Sequence, residues 1–582
     1  MKREGGSPGY AVVMGVTGHR VLANPDRLAG GVGEEQGMVS DEHFSRGDVP
    51  YRIRLGVLGG TPSGSSDGNT DVLTRHVEEY LPGTILGLFD PESRRTVEAS
   101  RHTRITYAVW SPLANQAQRA CVRGLLRLPG ARIEPVLPEP LDEYLQRFTA
   151  EGDRSEVREL IGLAGRSTIF REENLERYIL DRCDVLLLID SSPTVPGEER
   201  AGAEKLRRLH HKRRPLVRIH VAPCVGHSVV EGHGLDARWL APLDEFNALE
   251  LPDAELEARA GQYFLHVFDT PEGRALTASG RELVREHLLP YHVRASRLAK
   301  TSQRLYQRAG QLVWLLFPLA IAAVVVAVLH PAWSVPAFAV ELLLLVAIAC
   351  LVSVADRRCS HQQWVEYRFL AERLRSAMFL AACGFEAIPL EAPPYTGIER
   401  QRERWVLMAF NEIWSRLPPI PGCDRQGCEA AVRFVRERWL GEQIRFHRNK
   451  HDYAGRRSRR LERLGRIAFW LAILAAAGHL ALSLFVAHHA FPLLEDGLTF
   501  LALVLPAAGA AMGGFRAHRE YSRLSKRSRN MAHALQELDD RVAEIKEPEQ
   551  LARILRQVEE VMVGEVQDWL MLMRASRVET PG

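Results

Sequence analysis

The chain has 582 residues, 46% of them hydrophobic and 25% charged, and its formal net charge is only +3. This balance excludes a disordered chain and a pure membrane bundle, and it leaves room for three or four domains of about 150 residues. No nucleic-acid partner is expected, because such a partner calls for a strongly basic domain.

The opening residues Met1 to Gly6 carry no apolar run, so no cleaved leader is expected. Residues 11–16 read as a buried strand. It ends at Thr17, Gly18, His19 and Arg20, where polar donors gather at a strand's carboxyl end. Residues 24–49 read as a Gly-rich loop or insertion. Gly59 to Ser66 is a second Gly/Ser stretch, which reads as a solvated linker, although its amides can cradle phosphate. Further strands are expected at 104–109, 132–137, 184–190 and 216–221. Helices are predicted after Trp110-Ser111-Pro112-Leu113, at Asp142-Glu143-Tyr144, and near Ala203-Glu204 beyond the Pro196-Gly197 turn. Strands alternating with helices predict an α/β fold with a doubly wound, mainly parallel sheet.

An all-α region with four transmembrane helices is expected to follow. Apolar segments at 312–329, 335–354, 467–487 and 498–515 each span ~30 Å of hydrocarbon as helices. Basic residues flank them: Arg294 to Arg308 before the first, Arg357 and Arg358 after the second, Arg456 to Arg466 before the third, and Arg516 to Arg527 after the fourth. The connections 330–334 and 488–497 contain no Lys or Arg. The positive-inside rule therefore predicts a multi-pass protein of the inner membrane with both termini cytoplasmic. Glu341 reads as either an interhelical or pore-lining residue or one that snorkels to the outer surface. His479 is a weaker candidate of the same kind. Gly509 and Gly513 form a G-x-x-x-G that suits packing within the subunit or self-association.

The layout around the hairpins looks duplicated: basic amphipathic helix, apolar segment, short loop, apolar segment, trailing helix. Trailing helices are expected at 362–380 and from 519 to 545. In the middle region, Trp405, Leu407, Met408, Phe410, Ile413 and Trp414 mark an amphipathic helix with a core-facing side. A further helix runs from Glu429 through Ile444 toward the third apolar segment. These helices are expected to bundle and carry movement to the membrane. The eight cysteines are scattered, so they read as reduced structural thiols, and no metal site is expected.

Four motifs in order carry a resemblance: V-T-G-H-R from Val16, S-P-L-A-N-Q-A-Q-R from Ser111, V-L-P-E-P-L-D-E-Y from Val136, and C-D-V-L-L-L-I-D from Cys183. Over residues 11–221 the chain resembles the SLOG superfamily. These are Rossmann-like relatives of the LOG phosphoribohydrolases and the DprA proteins. Downstream, the basic helix from Tyr291, the W-V-E-Y-R and A-E-R-L-R stretches and the hairpin layout are similar to bacterial SLATT effector domains. Those are two-helix membrane modules associated with SLOG domains and nucleotidyltransferases in predicted anti-phage systems. Together these imply a SLOG-like nucleotide-sensing domain at 1–225 and a helical connector at 226–310. A first hairpin with cytoplasmic helices would occupy 311–466, and a second hairpin with a C-terminal helix 467–582.

The resemblance implies ligand contacts at Thr17, Gly18, His19 and Arg20, then Ser111, Leu113 and Arg119, then Asp142 and Glu143, and finally Asp190 and Gly197. Arg20 and Arg119 suit phosphate through charge-assisted bonds, and Asp190 suits a ribose hydroxyl. Gln116 and Gln118 stand where related sequences tend to have Gly and Asp. Glu198 and Glu199 beside Gly197 repel phosphate where LOG enzymes have a phosphate turn. Binding without turnover, or an altered ligand, is therefore expected, with no resident cofactor beyond a nucleotide-derived ligand and no catalytic residue assigned. The implied partners are a nucleotide second messenger, the lipid bilayer, a second copy of the chain in a homo-oligomer, and a co-encoded synthase of the messenger. The competing expectation is a membrane-anchored nucleotide or N-glycoside hydrolase of LOG type using Glu143 or Glu204.

Overall fold

The structure is a computed structural model. It describes residues 47–574 apart from 60–67, 90–94, 98–99, 101, 129, 165–167, 170–174, 177, 181–182, 191–215, 221–227, 232–239, 249–251, 358–359, 387–400, 419, 421 and 486–490. The strand expected at 11–16 lies outside the described residues.

The strand at the centre of the sheet is β1, Tyr51–Gly59. The helix α1, Gly68–Gly87, precedes β2, Ile105–Trp110. Next come α2, Gln116–Leu125, and β3, Ala131–Ile133, then β4, Val136–Leu137, and α3, Leu141–Leu145. They are followed by α4, Glu151–Gly162, and β5, Thr168–Ile169, then β6, Val185–Asp190, β7, Leu216–His220, β8, Ser228–Glu231, and α5, Leu240–Ala248. The main sheet has the order β3-β2-β1-β6-β7-β8, parallel except for the antiparallel β7–β8 pair. Its direction of winding reverses at β1, with β2 and β3 on one side and β6 and β7 on the other. Such a switch point leaves a crevice outside the strands' carboxyl ends. The core of these strands is fully apolar: Leu55, Val57, Val109, Leu186 and Leu187 have no exposed surface.

The single strand expected at 132–137 is two. β3 joins the main sheet, whereas β4 pairs with β5 in a separate two-stranded sheet. Pro135 has no N–H to continue a ladder. The chain steps away there, with Glu134 N donating to Val109 O and Val136 N to Ser111 O.

The helical region contains α6, Asp253–Val267; α7, Ala278–Leu283; α8, Leu289–Leu329; α9, Ser334–Arg357; and α10, Ser360–Ala382. Beyond it lie α11, Gln401–Ser415; α12, Arg425–Phe434; α13, Gly441–Phe485; α14, Pro492–His518; α15, Tyr521–Ala543; and α16, Pro548–Arg574. The chain forms two compact units. One comprises the sheet region to Leu251 together with Leu390–Pro419, and the other Pro252–Pro389 with Ile420–Gly582. Helix α11, expected to bundle with the membrane-proximal helices, therefore packs with the sheet. Its Trp405 and Phe410 are fully buried, and Trp405 meets Phe246 of α5 at 5.6 Å between ring centroids.

The second unit repeats one module. A short helix (α7 or α12) passes through a π-helical turn, Val284–Leu288 or Val435–Leu440, into a long helix (α8 or α13). A second apolar helix (α9 or α14) and a return helix (α10 or α15) follow. The two turns share Val-Arg-Glu at 284–286 and 435–437, and Leu289 matches Leu440. Among the described residues, four helices are long and apolar enough to cross a membrane. Their outward side chains, such as Leu342, Leu343, Trp470 and Leu474, are about two-thirds exposed. Continuous apolar surface of that kind is tolerated in lipid rather than in water.

Small residues set the helix approaches. In the second hairpin, a Cβ on Gly509 would lie 3.6 Å from Gly465 O and 3.9 Å from Ala468 Cβ, so this glycine packs α14 on α13. Gly513 has open space. A Cβ on Gly514 would fall 2.2 Å from the Trp314 ring, so α8 of the first hairpin touches α14 of the second at this point. His479 Nδ1 lies 3.3 Å from Thr499 Oγ1, linking α13 to α14, and Glu341 is half-buried on α9.

Candidate functional site

The crevice at the switch point is built where β1 and β2 end. Gly59 closes β1 with φ +86°, a conformation that suits glycine. A Cβ there would sit 2.4 Å from Ile189 O of β6. The Gly59 carbonyl accepts hydrogen bonds from Asn115 Nδ2 at 3.0 Å and Gln118 Nε2 at 2.8 Å. Asn115 also caps α2, accepting from Gln118 N at 2.9 Å, and Gln118 Oε1 accepts from Ala114 N at 2.9 Å. This Asn-x-x-Gln pair is a variant of the capping box. It pins the start of α2 to the end of β1. Gln118 thus has a structural task.

Ser111 and Leu113 lie in the loop between β2 and α2. Both are fully buried, and Ser111 Oγ accepts from Leu113 N at 3.1 Å. Leu113 holds φ +59°, an uncommon backbone for a non-glycine residue. Strain of this kind concentrates at functional loops. Arg119, on α2, is 1% exposed and ion-paired to both Asp153 and Glu156 of α4. Its guanidinium lies 5.6 Å from the Phe148 ring centroid. Arg119 Nη1 also donates to Leu113 O at 3.5 Å, so this side chain ties the β2–α2 loop and α2 to α4.

Asp142 and Glu143 are exposed in the first turn of α3. Their neighbour Tyr144 donates its hydroxyl to Pro112 O at 2.7 Å, which brings α3 against the β2–α2 loop. Asp190 ends β6 in register with His220. The structure therefore brings the Ser111–Leu113 loop, Arg119 and the Asp142–Glu143 turn into one neighbourhood beside Gly59. Thr17, Gly18, His19, Arg20 and Gly197 lie outside the described residues. Among the described residues no group of three or more His, Cys, Asp or Glu is placed to hold a metal.

A charged cluster joins α11 to the sheet. Arg52 of β1 is ion-paired to Glu134 and, at 2.5 Å, to Glu412 of α11. It also donates to Ser415 Oγ at 3.1 Å. Trp110 Nε1 donates to Glu134 Oε2 at 2.7 Å, and the Arg54 guanidinium stacks over the Trp110 ring at 5.7 Å. Burial disfavours the Arg52 charge, but Glu412 and then Glu134 more than offset this and hold the guanidinium above its ordinary pKa. No local sequence signal connects Arg52 with Glu412.

Residues 434–569 match the SLATT_1 family, described as SMODS and SLOG-associating 2TM effector domain 1. The matched stretch starts at the second π-helical turn and covers α13 to α15 and most of α16. It links the chain to effector modules of anti-phage defence. No curated protein and no solved structure matches the chain.

Proposed function

We propose that the protein is a membrane-bound sensor-effector of bacterial anti-phage defence. The sheet unit binds a nucleotide second messenger in the crevice at the carboxyl ends of its strands, and a co-encoded synthase supplies that messenger. Both termini face the cytoplasm, copies assemble into a homo-oligomer, and the hairpins perturb the inner membrane when the messenger arrives. The observation that carries this reading is the place of α11. The chain sets it between the two hairpins, yet its Glu412 is bound to Arg52 in the central strand of the sheet. Arg52 lies near the amino end of β1, but Glu134 joins it to Trp110 at the carboxyl end of β2, so a change there reaches the hold on a segment covalently continuous with both hairpins. A ligand drives such a change only by binding one state more tightly than the other. The SLATT match at 434–569 supports an effector role for the membrane half.

The test uses the full chain in dye-loaded vesicles and a panel of cyclic nucleotides, NAD and ADP-ribose derivatives. The products are chromatographed afterwards. One intact ligand should trigger leakage, and Arg20→Ala should abolish the response while insertion into vesicles persists. Leakage retained in Arg20→Ala would sink the proposed site. A ligand consumed over many turnovers would favour the hydrolase with Glu143 or Glu204 instead.

A further inference from the structure

Within the second unit, α8, α10, α13, α14, α15 and α16 line an open cavity of about 1340 Å³ beside the ends of the apolar stretches. Eight of its lining side chains are Lys or Arg and two are Glu. Both carboxylates are already engaged: Glu520 pairs with Arg523 at 3.2 Å and Glu565 with Arg527 Nε at 3.2 Å. Arg368 in turn pairs with Glu372 at 4.0 Å. Among the described residues, both terminal nitrogens of Arg527 and the Nε of Arg519 are buried without a hydrogen-bond acceptor. Lys450 rests 5.2 Å from the Phe446 ring centroid. Burial, and after it the nearby Arg368, lower its pKa to about 8. Clustered cations without acceptors raise the energy of the empty cavity. An anion relieves that cost.

The apolar part of the lining points to the kind of anion. Leu461, Leu464 and Phe515 stand at the membrane-side end, where α13 enters and α14 leaves the apolar stretches. Basic pockets between transmembrane helices on the cytoplasmic side take phosphorylated head groups. The volume exceeds that of a typical drug-sized ligand site. We propose that this cavity binds a phosphodiester of net negative charge, its charge met by Lys450, Arg519 and Arg527 and its non-polar part by the leucine wall. The phosphodiester comes either from an anionic phospholipid or from a soluble nucleotide. This site is separate from the crevice of the sheet unit and does not rest on the reading of that crevice.

The experiment measures thermal unfolding of the full chain in neutral detergent. Cardiolipin, phosphatidylglycerol, phosphatidylcholine or a cyclic dinucleotide is added at fixed ionic strength. One of the three net-anionic additives should raise the midpoint in a saturable way, and phosphatidylcholine should not. A response to the lipids alone names a head group, whereas a response to the cyclic dinucleotide alone names a soluble ligand. Lys450→Met should weaken that response about tenfold, the effect of losing one bond to a charged group. It should also raise the midpoint without any additive, because it removes a buried charge. Arg456→Gln, an exposed change outside the cavity, should leave the response intact. The proposal is overturned if no anionic additive stabilises the wild type. It is equally overturned if Lys450→Met and Arg456→Gln weaken the response alike.

Discussion

Replacing Glu412 by Gln tests the tie between α11 and the sheet. The change keeps the side chain's size and removes its charge. Arg52 is 8% exposed and Glu412 5% exposed, so solvent can do little to replace the lost partner. Breaking a buried ion pair costs about 3–5 kcal/mol. Here Glu134 still faces the guanidinium, which lowers the expected cost to about 2–3 kcal/mol. That loss falls on the local opening of α11 from the sheet. At 1.36 kcal/mol per decade it corresponds to roughly 30- to 150-fold faster amide exchange. Hydrogen exchange read by mass spectrometry on the full chain resolves residues 401–415 from the β6 core. The expected result is acceleration confined to α11 and its contacts around Phe246. Unchanged exchange in α11, or an equal rise over β6, would refute the idea that this ion pair holds the helix.

Three other outcomes are expected. Gly514→Val places atoms inside the Trp314 ring, so the contact between hairpins should open at a cost of about 1–3 kcal/mol, read as a lower unfolding midpoint in detergent. Arg119→Met leaves Asp153 and Glu156 without their shared cation and should destabilise the sheet unit by about 3 kcal/mol even without ligand. An unchanged melting curve would instead return Arg119 to a purely ligand-binding role. Phosphodiester affinity in the basic cavity should fall as pH rises through about 8, where Lys450 loses its proton. Lys450 is faced by Arg368 and Glu372 on α10, Arg527 on α15 and Glu565 on α16. Its folded pKa lies below the ordinary 10.5, so the unfolded chain binds more protons between about 8 and 10.5, and ligand-free stability should rise with pH across that window. A calorimetric titration series checks the affinity, and melting without ligand checks the stability.

The parts of the fold legible in the sequence are those set by local pattern. β6 is an unbroken apolar run up to Asp190, β2 and β7 are short, mainly apolar and β-branched stretches, and the hairpins declare themselves by apolar length between basic flanks. β1 escapes such reading because Arg52 and Arg54 interrupt its apolar run. The carboxylate that neutralises Arg52 from α11 lies some 360 residues later in the chain. The repeat was readable in the matching Val-Arg-Glu turns at 284 and 435, a closer likeness than the shared layout of the two hairpins. At the candidate site, sequence locates Ser111 and Leu113 at the end of a strand. It does not disclose that Arg119 is enclosed by α4, or that Asn115 and Gln118 hold Gly59. Those contacts depend on where separate elements meet. Gly509 was readable as a packing glycine, but only the helix geometry assigns it to the interior of its own hairpin.

The Arg52 cluster also imposes an order in time. Ser415 lies 363 residues beyond Arg52. At ribosomal rates of about 5–20 residues per second, roughly 20 to 70 s separate the synthesis of the two partners. The whole first hairpin is translated in that interval. A nascent sheet unit therefore has Glu134 but not Glu412 to balance the guanidinium on its central strand until the first membrane helices have already left the ribosome, and its last helix arrives only after their targeting has begun.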